Sequence, residues 1–175
     1  MSRIIVYGSE YGTAKKYADE LSRRTGIEAV SFKDAGSLSD HGTVIYIGAI
    51  YAGGVLGLAK TVKKLGVSKI DKLLIATVGV TDPGDAEYMS SVDNAVAKKL
   101  PPEIMKKTRI FHLRGGIDYT SLSFKHRTLL KMLYKRAVKL PEEQKTADIK
   151  AIIETYDKTV DYTDFSALDM LTAEI

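Results

Sequence analysis

The residues best suited to chemistry lie in three short stretches. The first is Gly8-Ser9-Glu10-Tyr11-Gly12-Thr13-Ala14. Ser9 and Thr13 offer hydroxyls, and Gly8 and Gly12 let the backbone turn tightly. The stretch leads into a predicted helix, whose first N–H groups have no intrahelical acceptor. Hydroxyls, free amides and the positive end of a helix together suit an anion. The loop lacks the lysine of a Walker A motif, so a nucleotide triphosphate fits poorly. It also lacks the three-glycine dinucleotide fingerprint, and a monophosphate fits best. A plain strand-to-helix turn of Gly, Ser and Thr is the alternative.

The second stretch is Gly48-Ala49-Ile50-Tyr51-Ala52-Gly53-Gly54. Tyr51 stands among small residues, which allow close backbone approach, and offers a flat face for a ring to stack on. Its other reading is packing against the next helix. The third is Val80-Thr81-Asp82-Pro83-Gly84-Asp85. Thr81 and Asp82 can hydrogen-bond the polar edge of a ligand, while Pro83 and Gly84 fix the turn. The same residues also make an ordinary turn and helix cap.

Other chemistries are excluded by composition. There is no cysteine, which removes disulfides, thiolate ligands and cysteine nucleophiles and suits a reducing cytoplasm. His41, His112 and His126 are far apart with no ligand spacing, so no metal site is expected. No residue pattern singles out a catalytic acid, base or nucleophile. The 175 residues, 45% of them hydrophobic, fit one domain, 1–175, with a proper core. No apolar run approaches the ~20 residues that cross a bilayer. Ile4-Ile5-Val6-Tyr7 is too short for a signal-peptide core, so a cytoplasmic protein is expected. The net charge of +4 is modest, so its distribution matters more than its sum. Nothing points to nucleic acid.

Strands and helices must position these loops. Strands are predicted at Arg3–Tyr7, Ile27–Phe32, Thr43–Ile47, Lys72–Val80 and Arg109–Leu113 from continuous apolar runs. Helices are predicted at Lys15–Arg24, Leu56–Leu65 and Asp85–Leu100, closed by Gly26, Gly66 and Pro101-Pro102. Lys33–Gly42 reads as a loop or a poor helix. This alternation means a parallel sheet covered on both faces. The expected class is α/β, a doubly wound five-stranded sheet of order 2-1-3-4-5. Ligands of such sheets sit beyond the carboxyl ends of the strands at the switch of winding, and the three stretches follow strands one, three and four. A receiver domain of similar fold needs acidic residues after strand one and a Lys after strand five. Tyr7-Gly8-Ser9 and Arg114-Gly115 stand there instead.

Tyr7-Gly8-Ser9-Glu10-Tyr11-Gly12-Thr13-Ala14 resembles the FMN phosphate loop of flavodoxins, and most closely the Tyr-Gly-Ser-x-x-Gly-Thr-Ala form in diflavin reductases. Lys15-Lys16-Tyr17-Ala18 continues that pattern. Tyr11 stands where flavodoxins usually carry Thr, and Glu10 is expected to turn its carboxylate to solvent and offer its N–H. The resemblance implies FMN as cofactor. It places Ser9, Glu10, Tyr11, Gly12, Thr13 and Ala14 at the phosphate. Ala49, Ile50, Tyr51, Ala52, Gly53, Val80, Thr81 and Asp82 fall around the ring.

The C-terminal third is longer than a plain flavodoxin needs. After Gly115-Gly116-Ile117-Asp118-Tyr119, a helix is predicted over Leu122–Leu140, the extra segment being about 120–140. Leu122, His126, Leu129, Leu130, Leu133, Ala137 and Leu140 share one face, while Lys125, Arg127, Lys131, Lys135, Arg136 and Lys139 crowd the rest. Val160-Asp161-Tyr162-Thr163-Asp164-Phe165 then leads to a last short helix from Ser166. This tail resembles the menaquinone-dependent protoporphyrinogen oxidases, which implies an FMN oxidoreductase with a quinone or porphyrinogen-like substrate. The alternative is a plain electron carrier with a redox partner protein. Most flavodoxins are acidic and this chain is basic. The basic helix reads either as a core helix with a solvated outer face or as a surface for an anionic lipid or partner.

Overall fold

The computed structural model describes residues 2–51 and 53–175. Five strands form the parallel sheet: β1 (Ser2–Gly8), β2 (Ala29–Ser31), β3 (His41–Tyr51), β5 (Lys72–Gly79) and β6 (Thr108–Arg114). Their order is β2-β1-β3-β5-β6, the expected 2-1-3-4-5 arrangement of the five. A two-residue strand, β4 (Gly54–Val55), turns back antiparallel on the end of β3, pairing Ile50 with Val55 and Tyr51 with Gly54.

The sheet is buried on both faces because successive strand residues point to opposite sides. Ile4, Val6, Val44, Tyr46, Leu73 and Ile75 face one core. It is closed by α2 (Leu58–Val62), α3 (Ala86–Ala97) and the short α4 (Pro102–Met105). Ile5, Ile45, Ile47, Leu74, Ala76 and Val78 face the other. There α1 (Thr13–Thr25) lays down Ala14, Tyr17, Ala18 and Leu21, and α7 (Leu168–Thr172) adds Leu168 and Leu171. Burying one such large side chain is worth about 1.5–3 kcal/mol.

Several boundaries differ from those expected, each for a local reason. Helix α2 starts at Leu58 and not Leu56 because Gly57 holds a left-handed φ of 79° against the Phe32 ring. Pro101-Pro102 ends α3 but also begins α4, since proline is tolerated in a first helical turn. The polar stretch after residue 140 contains α6 (Ala147–Thr155), which buries Ala151 and Thr155. The extra segment is longer than the predicted 120–140. It runs from β7 (Gly116–Asp118) to β8 (Thr159–Asp161), which pair antiparallel and close the excursion at its base. Between them lie α5 (Phe124–Ala137) and α6, tied together by stacking of Tyr134 on Tyr156 with ring centroids 4.0 Å apart. Tyr119 meets Tyr156 edge-on at 5.5 Å. Helix α5 starts later than predicted because Ser123 caps it, accepting the His126 N–H at 3.3 Å. Of its residues, Ala137 alone is buried. The core-helix reading therefore gives way to a roof lying over the carboxyl end of the sheet. Among the described residues, no helix is long and apolar enough to cross a membrane, and no cluster of potential metal ligands occurs.

Candidate functional site

Strands β1, β3 and β5 end side by side, and the loops that follow open onto one cavity of about 660 Å³, within the usual range for ligand pockets of about 300–1,000 Å³. It lies at the switch point of the sheet, where β1 leads to β2 on one side and β3 to β5 on the other. Glycine makes the close approach possible. A Cβ on Gly8 would strike the Leu56 carbonyl and the Tyr46 hydroxyl, which hydrogen-bond each other behind the loop. Burial pushes the Tyr46 phenol well above its ordinary range.

The loop after β1 contributes Ser9, Glu10, Tyr11 and Thr13 to the cavity wall. Gly12 takes a left-handed φ of 97° at the helix start and donates its N–H to Ser9 Oγ at 3.0 Å. No side chain caps α1. Its first amides, with Ser9, Thr13 and the Lys16 side chain nearby, form a donor set that fits a phosphate monoester. Ala14 lies in the core beneath and supplies backbone there.

From β3 come Ala49, Ile50 and Tyr51. Tyr51 is 41% exposed, so its ring is not spent on core packing. Gly53 turns the chain at φ 77°, outside the cavity wall. Ala52 lies outside the described residues. After β5, Val80 reaches the cavity, but Thr81 and Asp82 do not. They line a separate depression of about 390 Å³ with Arg114, Lys150 and Glu154. Asp82 accepts the Gly84 N–H at 2.8 Å, and Asp85 caps α3 through the Tyr88 N–H at 2.8 Å. The turn-and-cap alternative thus describes most of this loop.

The rest of the wall is made by residues outside those that the flavodoxin resemblance places at the cofactor. Gly115 lies between Thr13 and Val78, where an added Cβ would come within 2.9 Å and 2.8 Å of their side chains. Ile117, Asp118, Val160 and Asp161 enter from the β7–β8 ladder, and Leu122, His126, Leu130 and Leu133 from the roof. The apolar stripe on the predicted helix was the signal available, since His126 shares it with those leucines. The cavity is mixed in charge. Asp161 is held below its ordinary range by hydrogen bonds from Thr163 and by Lys16, 3.8 Å away. Asp118 is lowered by the hydroxyls of Thr120 and Thr159 and the Thr120 N–H. Tyr17 locks the base of the excursion, donating to the Arg114 carbonyl at 2.6 Å and accepting the Asp164 N–H at 3.0 Å.

Polar donors at one end and apolar and aromatic walls at the other suit a ligand with a phosphate and a flat ring. Among solved structures, similarity is found to a flavodoxin from the domain Archaea, 15% identical over 66% of this chain and 85% of that one, with a TM-score of 0.40. A cysteine-to-alanine mutant of the flavodoxin from Pseudomonas aeruginosa is 17% identical over 79% of this chain and 97% of that one, also at 0.40. No curated protein matches the chain. The flavodoxin domain model matches residues 4–144, from β1 through the roof helix. By that match the chain belongs to the flavodoxin domain family, whose cofactor is FMN.

Proposed function

We propose that the chain holds one FMN in the cavity beyond β1, β3 and β5 and acts as an FMN-dependent oxidoreductase on a flat, largely apolar small molecule. A quinone as acceptor and a porphyrinogen as donor are the candidates that the resemblance of the C-terminal third implies. The observation that carries this reading is the roof. Leu122, Leu130 and Leu133 turn toward the cavity, so the space beside the flavin is walled by apolar side chains. A carrier that only hands electrons to another protein has no need of such a wall.

In this reading Ser9, Thr13 and the first amides of α1 hold the phosphate, and Lys16 offsets part of its charge. Glu10 contributes its N–H while its exposed carboxylate faces water. Tyr51 flanks the ring, with Ala49, Ile50 and Val80 close to its edges. Bound FMN supplies the redox chemistry. The chain orients it, shields it from water and sets the polarity around it. The whole of 1–175 serves as one unit, because the excursion 116–161 closes the cavity that the sheet begins.

A plain carrier is the second reading, favoured by the outer side of α5. Lys125, Lys131, Lys135, Arg136 and Lys139 form no ion pair among the described residues. The test begins with reconstitution, which should give one FMN per chain and no uptake of FAD. Flavin reoxidation by a soluble menaquinone analogue and flavin reduction by protoporphyrinogen are then followed anaerobically. Exchange with either compound supports the oxidoreductase. If both are inert while a small redox protein reacts, the carrier reading replaces it.

A further inference from the structure

One side chain of the roof helix bonds both of the site elements that face it. His126 is hydrogen-bonded through Nδ1 to the Tyr11 hydroxyl and through Nε2 to the Tyr51 hydroxyl. Both phenol rings meet the imidazole edge-on, with centroids 5.5 Å and 5.3 Å away. Tyr11 belongs to the loop after β1 and Tyr51 to the end of β3, so one imidazole joins α5 to both. The other polar ties of α5 run back into its own excursion. Arg127 donates to the Tyr119 and Thr120 carbonyls at 3.1 Å and 2.8 Å, and Tyr134 stacks on Tyr156.

Little else pins the helix to the sheet. Phe124, Leu129 and Met132 are 87%, 42% and 50% exposed. An element with few buried apolar contacts opens at low free energy. Two hydrogen bonds at its N-terminal turn therefore weigh heavily in where it sits. Ser123 adds to the same point, donating its N–H to the Tyr11 hydroxyl at 3.3 Å. A neutral imidazole accepts from one phenol and donates to the other, and an imidazolium donates to both.

We propose that His126 is a positioning residue: by bridging Tyr11 and Tyr51 it latches α5 across the cavity and fixes how far the FMN ring is covered. It acts through the helix and needs no contact with the cofactor. The proposal rests on the assignment of this cavity to FMN. Its consequences are a slower exit of the cofactor and a drier ring.

The test compares wild type with His126→Ala and His126→Gln. Glutamine keeps a donor and an acceptor at the end of the side chain. In the protein without FMN, amide hydrogen exchange is measured along the chain. His126→Ala should speed exchange across α5 and leave β1, β3 and α1 as in wild type, while His126→Gln should restore protection. In the FMN-loaded protein, His126→Ala should release FMN about tenfold faster, the equivalent of one net hydrogen bond. It should also move the flavin midpoint potential to less negative values, because a wetter ring holds negative charge more easily. Tyr51→Phe combined with His126→Ala should add little to His126→Ala alone in α5 exchange. Unchanged α5 exchange in His126→Ala, or faster exchange throughout the sheet as well, would overturn the latch. Failure of wild type to bind FMN would overturn the cofactor site and leave the exchange result to judge the latch alone.

Discussion

Thr13 carries two jobs that differ in kind. Its methyl lies beside the position where Gly115 admits no Cβ, and its hydroxyl belongs to the cavity wall. Replacing it with Ala should weaken FMN by about 1.5–3 kcal/mol, the worth of a hydrogen bond to a charged group. Riboflavin, which lacks the phosphate, should bind almost as before. Parallel titrations with the two ligands check this, and equal losses would remove Thr13 from the phosphate. Lys16 escaped notice in the sequence because a lysine on a helix after a loop is usually solvated. Its place is legible only once Asp161 arrives beside it from 145 positions later in the chain.

At the level of elements, the carboxyl end of β1 has no slack. Gly8→Ala would press a methyl into the Leu56 carbonyl, which is backbone and cannot swing away. The expected loss is about 1–3 kcal/mol of stability, read as a lower thermal midpoint. Asp85→Ala at the start of α3 should cost about 1 kcal/mol for the lost cap and leave FMN affinity unchanged, since that carboxylate serves its own helix. Helix α1 carries a different signature near its end. Glu20 accepts hydrogen bonds from Arg23 and Arg24, which hold its carboxyl down at about 2. A depressed carboxylate contributes stability above its unfolded pKa and loses it as pH falls from about 4.5 toward 2. The cluster sits at the surface, with Arg23 open to water and Glu20 partly covered, and solvent screening keeps the contribution small. The check is a carboxyl titration by NMR, in which Glu20 should remain ionised at pH 3.

For the whole molecule, charge is unevenly placed. The chain is +4 overall, and the six cations of residues 125–139 exceed that excess by themselves. They lie outside the three loops, and none of them lines the cavity. Reversing Lys131, Lys135 and Arg136 to Glu should therefore leave FMN affinity intact. It should slow reaction with an anionic partner strongly at low salt and weakly near physiological ionic strength, where screening shortens the reach of a charge to about 8 Å. Flavin reoxidation rates across a salt series decide the matter. A rate change that ignores salt would mean that the substitutions act by moving α5.

Local sequence was enough for the five parallel strands, for α1, α2 and α3 and for their layering, but not for β4, α4, α6, β7 or β8. Continuous apolar runs of five to nine residues ended by turn residues read as buried strands, and their alternation with helices points to a parallel, doubly wound sheet. The loop proposed for the phosphate was also legible in the sequence, because Gly8, Ser9, Gly12 and Thr13 are neighbours in the chain. Tertiary structure decided what depends on distant partners. It placed Thr81 and Asp82 in a separate depression away from the cavity, with Asp82 accepting the Gly84 N–H inside its own turn. It closed the excursion at Gly116 and Asp161, a pairing 45 residues apart that no local pattern announces. It also chose the role of α5. The same amphipathic stripe would serve a core helix or a roof, and only the occupation of the sheet face by α1 and α7 leaves its leucines to the cavity and His126 to the two tyrosines.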